Sequence, residues 1–335
     1  MNRKKWNIGL LALALVFLPA VAAWSASADK TILLKLSQPT PAAGFYGEGY
    51  AYFAKAVEEE TKGQVKVQVY PSASLISDPE AFDAVQAGNV DIAHFMVASV
   101  SPTVKAITPM EIPGAYPGEK YKELDTATSP LLEKVFAKYG VKYLCPGYPE
   151  TAAFGTGKKL APVKSPADLK GKAVRASGKW LGEAMKMWGG SAVTIPLGDL
   201  AVALQRGTVD VVYTSWIVID SFKLYESAPN ITFTGLQNVL TGMIMSEKAW
   251  KRLNPEQQQG VLRAKKRYMD FINGSYKNLR TQFEEKIKKS GGTVTVLTAA
   301  QNAEFKKVRQ PLFEQVKGVA GPDGAELMKA LDTMK

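Results

Sequence analysis

Short apolar runs alternate with longer amphipathic stretches along most of the chain. The apolar runs have the length and the β-branched content of strands. Strands are predicted over residues 32–37, 65–70, 90–96, 141–144, 151–156, 172–176, 191–196, 208–213, 231–233, 239–245 and 294–297. Because strands separated by helical stretches are typical of α/β folds with largely parallel sheets, we predict that fold class.

The amphipathic stretches have the period of helices that bury one face. Helices are predicted over residues 50–61, 80–87, 184–188, 199–205 and 255–289, and from 299 onward. The longest of them has clear ends, because Asn254 is a good N-cap, Pro255 suits the first helical position and Gly291 follows the last turn. Its apolar positions drift around the helix instead of holding a heptad, which favours a helix packed across two lobes over a coiled coil.

The order of these elements predicts two lobes. Residues 29–150 with about 241–275 are assigned to lobe I, and residues 151–240 with about 285–335 to lobe II. The long helix at 255–289 lies between them. The chain crosses between the lobes twice, so each lobe is discontinuous. A cleft between two such lobes is the usual place for a small-molecule site.

The first 28 residues have the pattern of a secretory signal peptide. Three cations at positions 3–5 precede an apolar core at 8–17, and small residues at 26–28, or alternatively at 21–23, fit a cleavage site. The apolar core is too short to span a membrane, so we expect an exported, soluble mature protein. Cys145 is the only cysteine, which argues against both a lipid anchor and an intramolecular disulfide.

Charge adds little to this picture. The formal net charge is +11, or +8 without residues 1–28, which carry three cations and no acid. Acidic and basic residues are interspersed, as at Glu284-Glu285-Lys286, which indicates a mixed solvated surface. Together with the export signal, this argues against nucleic acid as a partner.

Common catalytic and metal-binding motifs are absent from the sequence. It has no HExxH, CxxC or GxSxG, and His94 is its only histidine. No cofactor is predicted, and a metal site built on histidine or cysteine is not expected. A metal held by one or two carboxylates together with oxygens of a ligand stays open. The stretch at 155–159 is not a phosphate loop, because Ala152 and Lys159 replace the first glycine and the Ser/Thr of that motif.

One arginine, Arg175, falls within the short apolar strand at 172–176. A buried charge needs an anionic partner, because burial without one is costly. The planar guanidinium matches a carboxylate in a bidentate way. The partner is therefore either an acid of the protein or the carboxylate of a ligand.

The residues around Arg175 form a motif. Asp168-Leu169-Lys170-Gly171 precedes Arg175, and the sequence ALQ-x-G-x-VD follows at 203–210, with helix–strand pairs at 53–69 and 83–93. This pattern resembles the solute-binding proteins of tripartite ATP-independent periplasmic (TRAP) transporters, the dicarboxylate-binding-protein family, over almost the whole mature chain. The resemblance implies a two-lobed periplasmic-binding-protein fold in which a long helix spans both lobes. It also implies that Arg175 clamps the carboxylate of the ligand.

The resemblance further implies a role and partners. Such a protein captures an organic acid in the periplasm and delivers it to a small and a large integral membrane subunit, which an ion gradient drives. A sensory protein that presents a bound acid to a membrane receptor kinase is an open alternative, because both roles need closure and a docking face. An exported enzyme is not expected, since only Tyr213 or His94 is available near Arg175 as a general base.

Further ligand contacts are expected at the carboxyl ends of strands. Thr214 and Tyr213 stand where many family members carry Asn and Glu, and Leu197 stands where sialic-acid-type members carry Phe. Met96 and Gly155 replace the Glu and the second Arg of those members, which argues against a sugar acid and against a clamped dianion. The predicted ligand-binding set is Arg175, Trp216, Thr214, Tyr213, Leu197, Trp180, Phe45, Tyr46, His94, Phe95 and Met96.

For each aromatic residue of this set, the alternative is that its side chain packs in the core and does not contact a ligand. If most of them are contacts, the cleft combines one cation with an apolar, partly aromatic lining. Such a lining favours a monocarboxylate with an apolar or aromatic body, for example an aryl or branched 2-oxo or 2-hydroxy acid.

Overall fold

Two β-sheets with helices packed around them make up the computed structural model, which describes residues 31–237 and 240–334. The predicted signal peptide at 1–28 lies outside the described residues, as does position 239. The strands are β1 (Ile32–Ser37), β2 (Val65–Tyr70), β3 (Ile92–Met96), β4 (Val141–Pro146), β5 (Thr151–Thr156), β6 (Ala173–Ala176), β7 (Ser191–Thr194), β8 (Val211–Ser215), β9 (Asn230–Gln237), β10 (Thr241–Ser246) and β11 (Thr293–Val296). Each predicted strand is present, with some ends shifted by a few residues.

The helices fill the intervals between these strands. They are α1 (Phe45–Glu60), α2 (Ala81–Ala87), α3 (Val97–Val100), α4 (Tyr121–Ala137), α5 (Lys179–Met187), α6 (Leu200–Gln205), α7 (Trp216–Ser221), α8 (Glu247–Lys251), α9 (Pro255–Lys289), α10 (Ala299–Lys306) and α11 (Arg309–Asp332), the last with a kink at Gly321. The pattern makes no prediction over 97–140, where α3 and α4 lie. Within the described ranges, none of the helices is both long and apolar enough to cross a membrane.

The chain passes from the first sheet to the second between β4 and β5, returns between β9 and β10, and enters the second sheet again at β11. The first sheet has the order β2-β1-β3-β10-β4, in which β10 is antiparallel to its neighbours and β1 is parallel to β2 and β3. The second has the order β11-β9-β5-β8-β6-β7, in which β5 is antiparallel to its neighbours and the other pairs are parallel. The predicted two-lobed α/β fold is confirmed. We call the part around the first sheet lobe I and the part around the second sheet lobe II.

Helix α9 contacts both lobes. It begins and ends as predicted, with a capping box in which Asn254 accepts from the backbone of Gln257 and Gln257 accepts from the backbone of Asn254, each at 2.9 Å. Toward lobe I, the ring of Tyr268 stacks on that of Tyr50 in α1, with centroids 5.8 Å apart. Toward lobe II, Phe283 stacks on Trp216 at the start of α7, with centroids 5.4 Å apart.

Helix α1 begins at Phe45, earlier than the expected start at 50. The glycines in this segment indicate a loop by composition, but their role is close packing. A Cβ at Gly47 would overlap the carbonyl oxygens of Pro41 and Ala42. The lack of a side chain therefore lets the first turn of the helix lie against the preceding loop.

The C-terminal helix lies elsewhere than expected. Residues 285–335 were assigned to lobe II, and β11 does pair with β9 there. However, α11 packs against α4 and the short helical segment Lys105–Glu111 of lobe I. The reason is apolar burial, since Leu312 and Ile107 belong to one buried cluster.

Candidate functional site

A cavity lies between the two lobes. Its inner part has a volume of about 20 Å³ and opens to an outer part of about 400 Å³. The inner part is lined by Pro39, Thr40, Tyr46, His94, Met96, Glu150, Arg175, Ser177, Leu197, Thr214, Val218 and Thr241. Arg175, Ser177, Met96 and Leu197 also line the outer part, so the two parts form one continuous cleft. We call the outer part the mouth.

Arg175 lines both parts of the cleft from strand β6, which is anchored at its start. The backbone N–H of Ala173 donates to the carboxylate of Asp210 at 2.8 Å, and Gly171 makes the preceding turn with a φ of +71°. Arg175 is 3% exposed. Its Nε and Nη2 both donate to the carbonyl oxygen of Ile195, at 3.2 and 3.1 Å. This carbonyl fixes the plane of the guanidinium.

The guanidinium has no acidic partner in the part of the chain that the structure describes. None of the ion pairs there involves Arg175, and the charge that acts on it is that of Asp78 at longer range. Burial lowers the pKa of Arg175 to about 10, and Asp78 opposes that shift. The group is therefore charged at neutral pH, and its burial is compensated only by a carbonyl and a distant carboxylate.

Asp78 lies in the mouth on the lobe I side. Its Oδ2 accepts a hydrogen bond from Ser99 at 2.8 Å, whereas its buried Oδ1 has no hydrogen-bond partner. Oδ1 is 3.9 Å from Nε2 of His94. The other ring nitrogen of His94 lies 2.8 Å from the hydroxyl of Tyr50, and burial lowers the pKa of His94. A neutral His94 leaves the Asp78 oxygen available for a donor.

Glu150 is a second acid in the cleft, and it is fully buried. It precedes β5 at the crossing from lobe I to lobe II. Its Oε1 accepts from the hydroxyl of Tyr46 at 2.7 Å, and its Oε2 accepts from the hydroxyl of Ser215. Burial nevertheless raises the pKa of Glu150 to about 8. The carboxyl thus bridges α1 of lobe I and the end of β8 in lobe II, and it is mainly protonated at neutral pH.

The structure brings six of the eleven predicted ligand-binding residues to the inner cavity. These are Tyr46, His94, Met96, Arg175, Leu197 and Thr214. The other five are buried elsewhere. Tyr213 packs on Phe154 and Trp188, because alternation along β8 turns it away from the face of Thr214.

The remaining aromatic residues lie in the core or behind the cavity. The indole of Trp216 donates to the hydroxyl of Tyr276 on α9, at 3.0 Å. Phe45 lines a separate surface pocket together with Trp216, Phe95 packs within the core of lobe I, and Trp180 is buried in α5. Their assignment as ligand contacts stays a prediction.

Sequence reasoning missed several polar residues of the cleft. Thr40, Asp78, Glu150, Ser177 and Thr241 line it but were not predicted. A signal existed for Ser177, because it lies two residues after Arg175, directly beyond the end of the same strand. Its hydroxyl is buried without a hydrogen-bond partner. Glu150 gave no signal, since a glutamate after a proline in a connection is typical of an exposed loop.

In the described ranges, no group of three or more His, Cys, Asp or Glu side chains is placed to hold a metal ion. The polar groups of the cleft are instead suited to an organic anion. Arg175 offers charge and Ser177 offers a hydroxyl, while Asp78 offers an acceptor.

Known proteins share this architecture. Residues 36–318 match the family described as bacterial extracellular solute-binding protein, family 7. The chain is 26% identical to the C4-dicarboxylate-binding periplasmic protein DctP of Rhodobacter capsulatus over 336 residues, 96% of each chain. Its fold is similar to that of DctP6, a Bordetella pertussis extracytoplasmic solute receptor binding pyroglutamic acid, with a TM-score of 0.83, 22% identity, and coverage of 90% of this chain and 99% of that one.

A third similar protein is a TRAP periplasmic solute binding protein from Sulfurospirillum deleyianum with bound succinate. The TM-score is 0.80 at 25% identity, with coverage of 91% of this chain and 99% of that one. The match to the family extends over most of the chain, on both lobes. The chain therefore belongs to the TRAP transporter solute-binding proteins, family 7 of the bacterial extracellular solute-binding proteins.

Proposed function

We propose that this protein captures a small organic acid outside the cytoplasm and that Arg175 binds the carboxylate of that acid. The observation that carries the proposal is a buried guanidinium that lines a cleft between two lobes and has no acidic partner among the described residues. A ligand carboxylate would supply the missing counter-charge. In a buried site such a pair is stronger than in water, because screening is weaker there.

The carbonyl of Ile195 orients the guanidinium for this task. It accepts from Nε and Nη2, so the remaining N–H groups are directed elsewhere. A carboxylate that accepts from them gains charge-assisted bonds in a fixed geometry. The hydroxyl of Ser177, which is buried without a partner, would donate to the same ligand.

Ligand binding would favour the closed arrangement of the lobes. Arg175, Leu197 and Thr214 come from lobe II, whereas Tyr46 and His94 come from lobe I. A ligand that touches both sets stabilises the state in which both are close to it. Opening would occur about the connections from β4 to β5 and from β9 to β10, with α9, which leads back to the second sheet, bending or pivoting because it packs on both lobes.

The closed protein would then deliver the acid to the small and large integral membrane subunits of a TRAP transporter. The proposed place of capture is the periplasm, in keeping with the predicted signal peptide and with the periplasmic names of relatives. The protein would act as a binding protein and not as an enzyme. The cleft offers groups that would hold an acid, and the family is one of binding proteins.

The apolar part of the lining supports an acid with a compact apolar body. Pro39, Met96, Leu197 and Val218 line the inner cavity beside the polar groups. The proposed arrangement places the carboxylate at Arg175 and the rest of the ligand between these side chains, toward the mouth. The proposed ligand therefore remains an aryl or branched 2-oxo or 2-hydroxy acid.

A thermal-shift screen tests this function. The mature protein is unfolded and refolded to remove carried-over ligand, and it is then screened against 2-oxo and 2-hydroxy acids, pyroglutamate, dicarboxylates and uronic acids. A ligand at about a hundredfold excess over its dissociation constant adds about 2.7 kcal/mol of stability. A shift for a few related acids that disappears in Arg175→Ala is expected. No shift with any acid would contradict the proposed function.

A further inference from the structure

The charges that line the cleft are unusual for a site that holds an acid. Of the described residues lining the inner cavity and the mouth, Arg175 is the one lysine or arginine. Two carboxyl groups face the same space, Glu150 in the inner cavity and Asp78 in the mouth. The described lining thus contains a single cation and two acids.

We propose that Glu150 and Asp78 determine the charge of the ligand, so that the cleft accepts acids with one carboxylate and a neutral hydroxyl or N–H group and rejects dicarboxylates. The inference rests on the proposed function, because it takes Arg175 as the site of the first carboxylate. It adds the identity of the ligand's second polar group and the residues that select it.

Asp78 supplies the more direct argument. Its Oδ1 is buried and has no hydrogen-bond partner, and the side chain is only 12% exposed. A buried acceptor of this kind is satisfied by a donor, such as a hydroxyl or an N–H. A second ligand carboxylate would instead bring a further negative charge to it, without a cation to compensate.

Glu150, in the inner cavity, also disfavours a second carboxylate of the ligand. Its oxygens already accept from Tyr46 and Ser215, and it is 4% exposed. Its burial, which raises the pKa of Glu150 to about 8, makes this end of the cleft a poor environment for a negative charge. A second anionic group beside it would be disfavoured for the same reason, whereas a neutral polar group would not.

Local packing disfavours a second cation at the position where sialic-acid-type relatives are expected to have one. Gly155 of β5 lies against β8, and a Cβ there would approach Cγ1 of Val212 to 2.9 Å. A larger side chain at this position would require the side chain of Val212 to shift. The cleft therefore has one anchor for one carboxylate, in contrast to the dicarboxylates and succinate named for two of its relatives.

Matched ligands test the inference on the unchanged protein. Succinate and its monoamide, succinamate, differ in one group, which is a carboxylate in the first and a neutral amide in the second. Binding is measured by isothermal titration on refolded mature protein, with pyroglutamate and 2-hydroxyisovalerate as further monoacids. We expect succinamate to bind about tenfold tighter than succinate or better, which corresponds to about 1.4 kcal/mol.

Variants identify the residues responsible. Asp78→Asn keeps the size of the side chain and removes its charge, and Glu150→Gln keeps the size of the carboxyl and makes it permanently neutral; the two are made singly and together. We expect the double variant to lower the preference for succinamate by about tenfold, mainly through tighter succinate binding. The exposed Glu226→Gln is the matched control and should leave the preference unchanged.

The outcomes separate this inference from the proposed function. Equal or tighter binding of succinate by the wild type, or an unchanged preference in the double variant, overturns the inference alone, provided that Arg175→Ala still abolishes monoacid binding. If none of the monoacids binds, or if binding survives Arg175→Ala, both the inference and the proposed function fail. If the double variant does not fold, the wild-type comparison of succinate with succinamate decides.

Discussion

Arg175 directs two of its N–H groups to a single carbonyl oxygen, that of Ile195, from Nε at 3.2 Å and from Nη2 at 3.1 Å. A carbonyl orients a guanidinium but does not neutralise it. The ligand-free protein therefore holds a buried cation whose pKa is lowered to about 10 by its surroundings. We infer that the buried charge of Arg175 is unfavourable for folding and serves to bind the ligand carboxylate.

Replacement of this cation by an apolar side chain should not weaken the ligand-free protein. Arg175→Met removes a buried charge, which costs on the order of 3 kcal/mol for a pKa lowered by this amount. It also leaves the carbonyl of Ile195 without its donors, which costs about 1–3 kcal/mol. We expect the free energy of unfolding in denaturant to be equal to that of the wild type or slightly higher. A loss of more than about 2 kcal/mol would indicate a structural role for Arg175.

Glu150 should make stability depend on pH. Its folded pKa of about 8 lies above the ordinary value of 4.5, so the folded state binds the proton more tightly than the unfolded state. This contribution is fully present below pH 4.5 and is lost as the pH rises toward 8, by at most about 1.4 kcal/mol per pH unit. Glu150→Gln lacks this titration, so the free energy of unfolding of the variant should increase relative to that of the wild type as the pH rises.

Denaturant unfolding of both proteins at about pH 5, 6.5 and 8 checks this prediction. Glu111, whose pKa burial raises to about 7, and His94, whose pKa burial lowers, titrate in both proteins and cancel in the comparison. Parallel stability curves for the two proteins would show that Glu150 is ionised in the folded state at all these values.

The glycines of α1 should be required for packing. Gly47→Ala places a Cβ against the backbone carbonyls of Pro41 and Ala42, which have little freedom to move. We expect a loss of about 2 kcal/mol or more in unfolding free energy. Gly274 in the interior of α9 is the matched control, because a Cβ there meets nothing within 4 Å. Gly274→Ala should stabilise by up to about 1 kcal/mol, and a loss at Gly274 equal to that at Gly47 would refute the packing argument.

Trp216 should contribute to stability and not to ligand choice. Trp216→Phe removes the hydrogen bond to Tyr276, and we expect a cost of about 1–2 kcal/mol in unfolding free energy. Ligand affinity should change by less than about threefold. Leu197→Ala, which removes part of the cavity wall, is the comparison variant. Its effect on the free energy of ligand binding should exceed its effect on the free energy of unfolding. A folded Trp216→Phe protein that has lost ligand binding would place Trp216 in the site after all.

The parts of the fold that could be predicted carry local signals. Helix α9 is bounded by Asn254 and Pro255 at its start and by Gly291 after its end, and these residues act within one turn of the chain. The strand of Arg175 could be predicted because one charge in an apolar run is conspicuous. The two-lobed arrangement followed from the alternation of strands and helices and from the family resemblance.

The parts that could not be predicted depend on distant contacts. The segment around Gly47 has the composition of a loop, and the need for glycine at this position in α1 is seen only from the approach of the Pro41 carbonyl. Trp216 at a strand end has the same local pattern whether it faces a ligand or, as here, Phe283 of α9. Glu150 becomes a buried acid only because Tyr46 and Ser215 converge on it from different lobes.

A thermodynamic cycle on Arg175 and the ligand carboxylate tests most directly whether Arg175 binds that carboxylate. Isothermal titration is carried out with the acid that gives the largest thermal shift and with its primary carboxamide, on the wild type and on Arg175→Ala. We expect the wild type to prefer the acid by about a hundredfold or more and Arg175→Ala to bind both weakly without preference, a coupling of about 2.7 kcal/mol. An equal preference for the acid in both proteins would contradict the assignment of Arg175 as the carboxylate site.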